Sequence, residues 1–509
     1  LRFAAFRSTR LLVEASFLGA IGLAAIAVRV PICEGDDAFY ASVAHALPAH
    51  GSFDYLRFYG PVFFRAVALS FSTLGFSVLA LRTVSLLGAA LIVIAALILA
   101  RACGADANRQ AWIAALLIFS PEVGWAATAG RMDSLAVGLE LLGLAVLVCG
   151  LLRADRGWRY GIAGGALVAA AALTTPRTFP FVAVLLMTAP LIPIFPRTDA
   201  VIRRDATRTI GAASVTTVAL IALWIIFGAG GFGAWWRMMW SIATQQREDI
   251  TILSGFRPLG FAWWRLVTPA VAVVGALRLP WHHGNDARTF ADLFALHIAW
   301  TTFLLTAPLF KLTFFFATYW AVPLFVVVLA QSSRLRVPRR ALTIAAAGLL
   351  TFFVTARVAK HVRAAVTWAG RDPVRVQAFV TAHVPRGSVV VGPHYLYFFP
   401  VERSGSHFET ASTADWADWT RWIPASERGI GGTPANDSPA ARYLLWPTNE
   451  DLVYGSPPEG ACAPREAIAT FEAPPDDLPA LSWLTAADDL RAYPRATLYR
   501  VAPDCRLNY

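Results

Sequence analysis

Apolar residues in this chain come in long uninterrupted blocks, not in the short alternation of a half-buried surface. Stretches such as 86–100 with its flanks, 135–152 and 210–227 run for about 18–24 residues, enough for a helix to cross a ~30 Å hydrocarbon core. Blocks of this kind near 11–31, 79–100, 110–127, 133–152, 160–176, 178–195, 209–228, 260–279, 290–309, 314–331 and 341–357 predict about eleven transmembrane helices. Residues 61–74 are shorter, and a full span there would reverse the side of the arginines that follow. This segment is expected to be a juxtamembrane or re-entrant helix.

After residue 371 the texture changes. Turns rich in Pro, Gly and acidic residues separate short apolar runs at 388–391, 395–399, 443–446, 467–471 and 497–501, which read as strands, with amphipathic stretches at 373–383 and 413–422. The expected architecture is an all-α polytopic membrane domain over 1–370, followed by a small α/β domain over 371–509. No internal repeat of fixed period is visible.

Composition agrees with the pattern: 57% of residues are hydrophobic and 15% charged, against about 45–50% and 25% in soluble domains. The net charge of +11 divides unevenly, +16 over residues 1–370 and −5 over the rest. A nucleic-acid surface is thereby excluded, because the basic residues belong to loops between apolar blocks. Arginines cluster at 2–10, 101–109, 153–159, 197–208 and 334–340, on alternate connections. Together with 278–288 they place those loops in the cytoplasm, with the N-terminus inside and the C-terminal domain outside. Arg2, Arg7 and Arg10 precede a first block without a small-residue cleavage site, which predicts a retained anchor helix. Lysine occurs twice, at Lys311 and Lys360, against 42 arginines. That bias fits a GC-rich bacterial genome, hence a bacterial cytoplasmic membrane.

The same topology gathers polar residues at the outer ends of distant helices: Glu34, Asp36 and Asp37, then Asp133, Arg177 and Lys311. A carboxylate there can act as general base on a hydroxyl, and cations beside it can hold a phosphate leaving group. Each feature also has a structural explanation. The acidic pair ahead of Phe39 and Val43 fits a helix cap, and Asp133 can simply begin a helix with Glu140 seven residues on. Lys311 can snorkel, and Arg82, Arg131 and Arg177 can mark helix ends. Trp416, Trp419 and Trp422 fit a partner-binding face or a core. Cys462 and Cys505 lie in the outer domain, where a disulfide and two free thiols are both open.

The order of several short motifs changes the weighting. Asp36-Asp37-Ala38-Phe39-Tyr40 is followed by Tyr59-Gly60-Pro61, by Arg82-x-x-Ser85, and by Ser120-Pro121 with Arg131-x-Asp133. Thr174-Thr175-Pro176-Arg177 and Lys311 with 319–323 complete the series. In this order they resemble the GT-C superfamily of membrane glycosyltransferases that use polyprenyl-phosphate sugars, which includes protein O-mannosyltransferases and the lipid A aminoarabinose transferase. The resemblance implies a GT-C fold and a polyprenyl-phosphate-linked donor, with a lipid, glycan or protein as acceptor. Transfer would invert the anomeric carbon on the extracytoplasmic side.

By the same resemblance Asp36 is the catalytic base, Asp37 its neighbour and Asp133 the second acidic position. Arg82, Arg131 and Lys311 would neutralise the donor phosphate. Asp37 stands where the family has Glu, and no lysine precedes Pro61, leaving Arg57 or Arg82 to take that contact. Tyr40, Tyr59 and Arg177 complete the expected substrate contacts. Neither a metal nor another cofactor is implied, since no His/Cys cluster or Gly-rich nucleotide loop occurs. The rival reading is a transporter or flippase of lipid-linked sugars, which usually carries repeated halves.

Overall fold

The computed structural model describes residues 2–29, 36–50, 54–153, 156–194, 199–248, 266–281, 286–309, 317–392, 397–410, 441–448, 462–472, 493–503 and 505. Its membrane part is helical. α1 (Arg2–Arg29), α2 (Asp36–His50), α3 (Asp54–Tyr59) and α4 (Val62–Leu74) lead into the long α5 (Val78–Ala102). α6 (Ala107–Phe119), α7 (Pro121–Thr128), α8 (Asp133–Leu151), α9 (Gly157–Ala172), α10 (Phe179–Thr188) and α11 (Ala200–Phe227) follow. The series ends with α12 (Phe232–Glu248), α13 (Val267–Arg278), α14 (Ala287–Leu309), α15 (Ala317–Trp320), α16 (Val322–Ala330) and α17 (Arg339–Val366).

Among the described residues, α5, α8, α11, α14 and α17 are long and apolar enough to cross a bilayer. α6 and α7 make a sixth if they count as one span bent by 57°. The bend has a local cause: Ser120 leaves the helical path and its hydroxyl caps Val123 N–H, while Pro121 starts the new helix. Shorter apolar helices lie at Leu11–Ala27, Pro176–Ile192, Val267–Arg278 and Ala317–Ala330. The protein is thus a multi-pass membrane protein. Residues 61–74 form the 13-residue α4, about 20 Å long and too short to span.

Small residues decide how the spans meet. A Cβ on Gly88 of α5 would fall 2.3 Å from the backbone nitrogen of Leu135 in α8, and one on Gly161 of α9 would fall 2.2 Å from the Thr209 carbonyl oxygen in α11. The backbones approach to a distance that only glycine permits, which supplies packing where lipid removes the hydrophobic drive. α5, α8, α9 and α11 are locked side by side in this way.

The C-terminal part holds one five-stranded sheet in the order β2-β1-β3-β5-β4. Its strands are β1 (Val389–Gly392), β2 (His407–Thr410), β3 (Arg442–Pro447), β4 (Glu466–Phe471) and β5 (Ala496–Arg500). β1 runs parallel to β2 and β3, and β5 antiparallel to β3 and β4. α18 (Pro373–His383) and α19 (Phe398–Ser404) accompany it. The expected strand at 395–399 is corrected: from Phe398 the chain is helical, with Phe399 stacked at 4.8 Å on Phe76 beyond the end of α4. A five-residue apolar run does not distinguish strand from helix, and packing on aromatic rings selected helix. The amphipathic stretch at 413–422, with Trp416, Trp419 and Trp422, lies outside the described residues.

One sheet face shares a core with the membrane part: Val390, Leu445 and Leu498 join a cluster that includes Tyr40, Phe63 and Val67. Beneath the other face lie Val391, Leu444, Trp446 and the Cys462–Cys505 disulfide. Cys103 and Cys149 are free thiols; Cys33 lies outside the described residues.

Candidate functional site

Two of the sequence motifs interlock. The Ser85 hydroxyl of α5 donates to the Arg131 carbonyl at 2.8 Å, and the Ser134 hydroxyl donates back to the Ser85 carbonyl at 2.7 Å. Arg82-x-x-Ser85 therefore clamps the turn that carries Arg131-x-Asp133. Gly130, at φ 69°, makes that turn possible and lies against Leu81 and the stem of Arg82.

Asp133 opens α8 and is fully buried. Arg131 Nε donates to one carboxylate oxygen at 2.8 Å, and Arg177 Nη1 to the other at 3.2 Å. Arg177 arrives from the turn Pro176–Thr178. A second turn supports the first. Gly60, at φ 80°, rests on the Leu173 carbonyl, to which Val62 N–H donates at 3.2 Å. That contact sets Tyr59 beneath Arg177, whose guanidinium lies 6.0 Å from the ring centroid. Arg131 lies 6.0 Å from the Tyr40 ring and 5.6 Å from Trp125. Tyr40 and Tyr59 meet edge-on at 5.7 Å.

One carboxylate thus faces two guanidiniums, and aromatic faces hold both cations in place.

Asp37 is buried in the first turn of α2, 3.9 Å from Arg82 Nη2. Arg82 is itself fully buried and donates through Nη1 to the Ala27 carbonyl at the end of α1, at 2.6 Å. Asp36 is the first residue of α2, but its side chain, like the whole of Glu34 and Lys311, lies outside the described residues. Arg57 is half-buried on α3, with its guanidinium beside Gly230 at the approach to α12. Among the described residues no three His, Cys, Asp or Glu side chains gather closely enough to hold a metal ion.

The fold itself has solved counterparts. ArnT from Cupriavidus metallidurans bound to undecaprenyl phosphate superposes at a TM-score of 0.58 with 13% identity, covering 98% of this chain and 99% of that one. Its apo state superposes at 0.59, also with 13% identity, covering 99% of both chains. The chain thus shares its overall fold with that solved structure over nearly the whole length of both. Residues 57–192, about a quarter of the chain, match the family model described as alpha-(1->6)-mannopyranosyltransferase, N-terminal domain. A search of curated proteins found no match.

The expected all-α membrane domain followed by a small α/β domain therefore has a solved counterpart in fold. The matched segment contains Arg57, Tyr59, Arg82, Arg131, Asp133 and Arg177. Sequence reasoning named both arginines of the Asp133 cluster without pairing them. It missed Trp125, which carries no signal in a run of apolar residues.

Proposed function

We propose that this protein is a membrane glycosyltransferase of the GT-C type that moves a sugar from a polyprenyl-phosphate carrier to an acceptor hydroxyl, with inversion. Transfer takes place on the extracytoplasmic side of a bacterial cytoplasmic membrane, with residues 371–509 facing outward. The observation that carries the reading is the buried Asp133 carboxylate held between Arg131 and Arg177, inside the segment that matches a mannosyltransferase family.

In this reading Asp36 removes the acceptor proton as the hydroxyl oxygen bonds to the anomeric carbon, and the bond from that carbon to the phosphate oxygen breaks. The carrier leaves as polyprenyl phosphate. Arg131 and Arg177, fixed by Asp133, face the charge that develops on the phosphate, with Arg82, Lys311 and Arg57 as further cations. Tyr40 and Tyr59 bound the sugar. Mannose is the first candidate because it is the sugar in the matched family's description, and undecaprenyl phosphate the first carrier because ArnT is solved with it.

Purified protein presented with a panel of radiolabelled undecaprenyl-phosphate sugars tests the proposal. It predicts consumption of one hexosyl or pentosyl donor and release of undecaprenyl phosphate when a membrane acceptor extract is present. Failure to consume any donor, with transbilayer movement of one of them in proteoliposomes, would replace the enzyme with a transporter.

A further inference from the structure

We infer that the end of the bundle opposite the Asp133 cluster holds an anionic phospholipid: one acyl chain fills a dry cavity between α10 and α14, and the headgroup meets a rim of arginines. Nothing in this rests on sugar transfer. The arginine pattern of the sequence assigns the lipid to the cytoplasmic leaflet.

The cavity encloses about 180 Å³, and its walls include Thr188 at the end of α10, Ile192, Trp281, and Phe290, Leu293 and His297 of α14. Phe290 and His297 are seven residues apart, about 10 Å along the helix axis, so the space runs inward from the helix end. Three polar groups of the lining are spent within the protein. The Thr188 hydroxyl donates to the Val184 carbonyl at 2.7 Å, Trp281 Nε1 donates to the Ala276 carbonyl at 3.1 Å, and His297 Nδ1 meets the Thr301 hydroxyl at 3.4 Å. Water gains little in such a space, whereas an apolar cavity of about 150 Å³ stays dry and takes up a hydrocarbon guest. Trp281 is 41% exposed, and its near neighbours in the chain around the cavity, Leu277 and Leu191, are exposed as well. Apolar side chains exposed on this flank face lipid, so the hydrocarbon at hand is an acyl chain.

The rim selects the headgroup. Residues 278–288 contain Arg278 and Arg288 against one acid, Asp286, and residues 334–340 contain Arg334, Arg336, Arg339 and Arg340 with none. The two segments meet, since Arg336 N–H donates to the Arg278 carbonyl at 3.2 Å. Asp286 turns back on its own helix, accepting from the Thr289 N–H at 2.9 Å and from its hydroxyl at 2.7 Å, while Asp292 is paired with Arg334. Arg278 and Arg288 are exposed and stand three and two residues from the cavity residues Trp281 and Phe290. Each arginine beside an anionic lipid surface is worth about fivefold in binding. A zwitterionic lipid could use the cavity but not the rim.

This place is separate from the donor site. Arg177 lies just before the first residue of the ten-residue α10 and Thr188 is its last, about 15 Å away along the helix.

The test is native mass spectrometry of the purified full-length chain with phosphatidylglycerol and phosphatidylcholine of identical acyl chains in competition. Wild type should retain one phosphatidylglycerol, preferred about 10-fold or more. Leu293→Trp, which fills the cavity, should weaken its binding about 10-fold; Arg278→Gln should weaken it about fivefold and leave phosphatidylcholine unchanged. Overpacking can unfold Leu293→Trp, so a second measurement uses native packing. One equivalent of phosphatidylglycerol brominated in its acyl chains, added in detergent, should quench tryptophan fluorescence, and the quenching should shrink in Trp281→Phe. Equal retention of the two phospholipids, unchanged binding in folded Leu293→Trp, or quenching that Trp281→Phe leaves intact would overturn the inference. So would undecaprenyl phosphate that displaces phosphatidylglycerol at equal concentration, because the occupant would then be the carrier.

Discussion

Asp133 and Asp292 are both buried aspartates that meet an arginine, and they do different things. Asp292 of α14 accepts from the Cys103 thiol at 3.1 Å and pairs at 2.5 Å with Arg334, whose side chain is 27% exposed. Its carbonyl accepts from Gln331 at 2.7 Å. One acid meets one cation, and the result is a neutral lock that ties α14 to the end of α5 and to the chain after α16. Asp133 meets two cations, each laid over aromatic rings. Burial of charge alone therefore does not mark a site. What separates the two is that both cations on Asp133 are held against rings and by the Ser85 clamp, whereas Arg334 on Asp292 reaches toward solvent.

Removing each carboxylate sharpens the contrast. Asp133→Ala removes the carboxylate that both guanidiniums share and should cost about 3–5 kcal/mol of stability, along with all sugar transfer. Asp292→Ala should cost about 1–2 kcal/mol, because Arg334 can turn to water, while transfer per folded molecule stays at the wild-type level. Thermal unfolding in detergent and transfer assays normalised to folded protein measure both. Lost transfer in Asp292→Ala at unchanged stability would erase the distinction.

Much of the helical frame was legible because a membrane span is a long-range compositional signal: the blocks at 79–100, 133–152 and 290–309 appear as α5, α8 and α14. The motifs were legible too, since Arg82-x-x-Ser85 and Arg131-x-Asp133 each sit within one turn of chain. Their mutual clamp was not, because it joins residues 46 apart in sequence. The Arg177–Asp133 pair, 44 apart, was hidden for the same reason.

α17 shows a different limit. The apolar block at 341–357 ends where hydropathy falls, yet the helix continues to Val366 and buries Arg357, Lys360 and Arg363. Arg357 donates to the Ser120 carbonyl at 3.1 Å and lies over Gly124, where a Cβ would leave it no room. A cation accommodated by a glycine on a distant helix leaves no local trace. β2 was missed because His407-Phe408-Glu409-Thr410 is a short edge strand with one apolar residue.

A weaker contrast concerns pH where the sheet meets α2. The His45 ring lies 4.4 Å from Phe76, which stacks on Phe399, and burial, then His407, holds its pKa below 6.5. The unfolded chain takes up that proton first, so this contribution to stability is intact above pH 6.5 and is lost as pH falls below it. Glu402, 3.8 Å from His407, has the opposite sign: burial raises its pKa, and acid relieves its cost. Between pH 7.5 and 5.5 the unfolding temperature of wild type should drop about 1–2 °C further than that of His45→Gln. Identical pH profiles would show that this contact carries no proton linkage.

The most direct test of the account is Asp36→Asn, which changes charge and almost nothing of shape at the first residue of α2. An amide cannot take the acceptor's proton, but it caps a helix nearly as well as aspartate. The account predicts a fall in transfer rate of about 10²–10⁴-fold, with wild-type unfolding temperature and wild-type binding of undecaprenyl phosphate. Transfer at the wild-type rate in Asp36→Asn would contradict it.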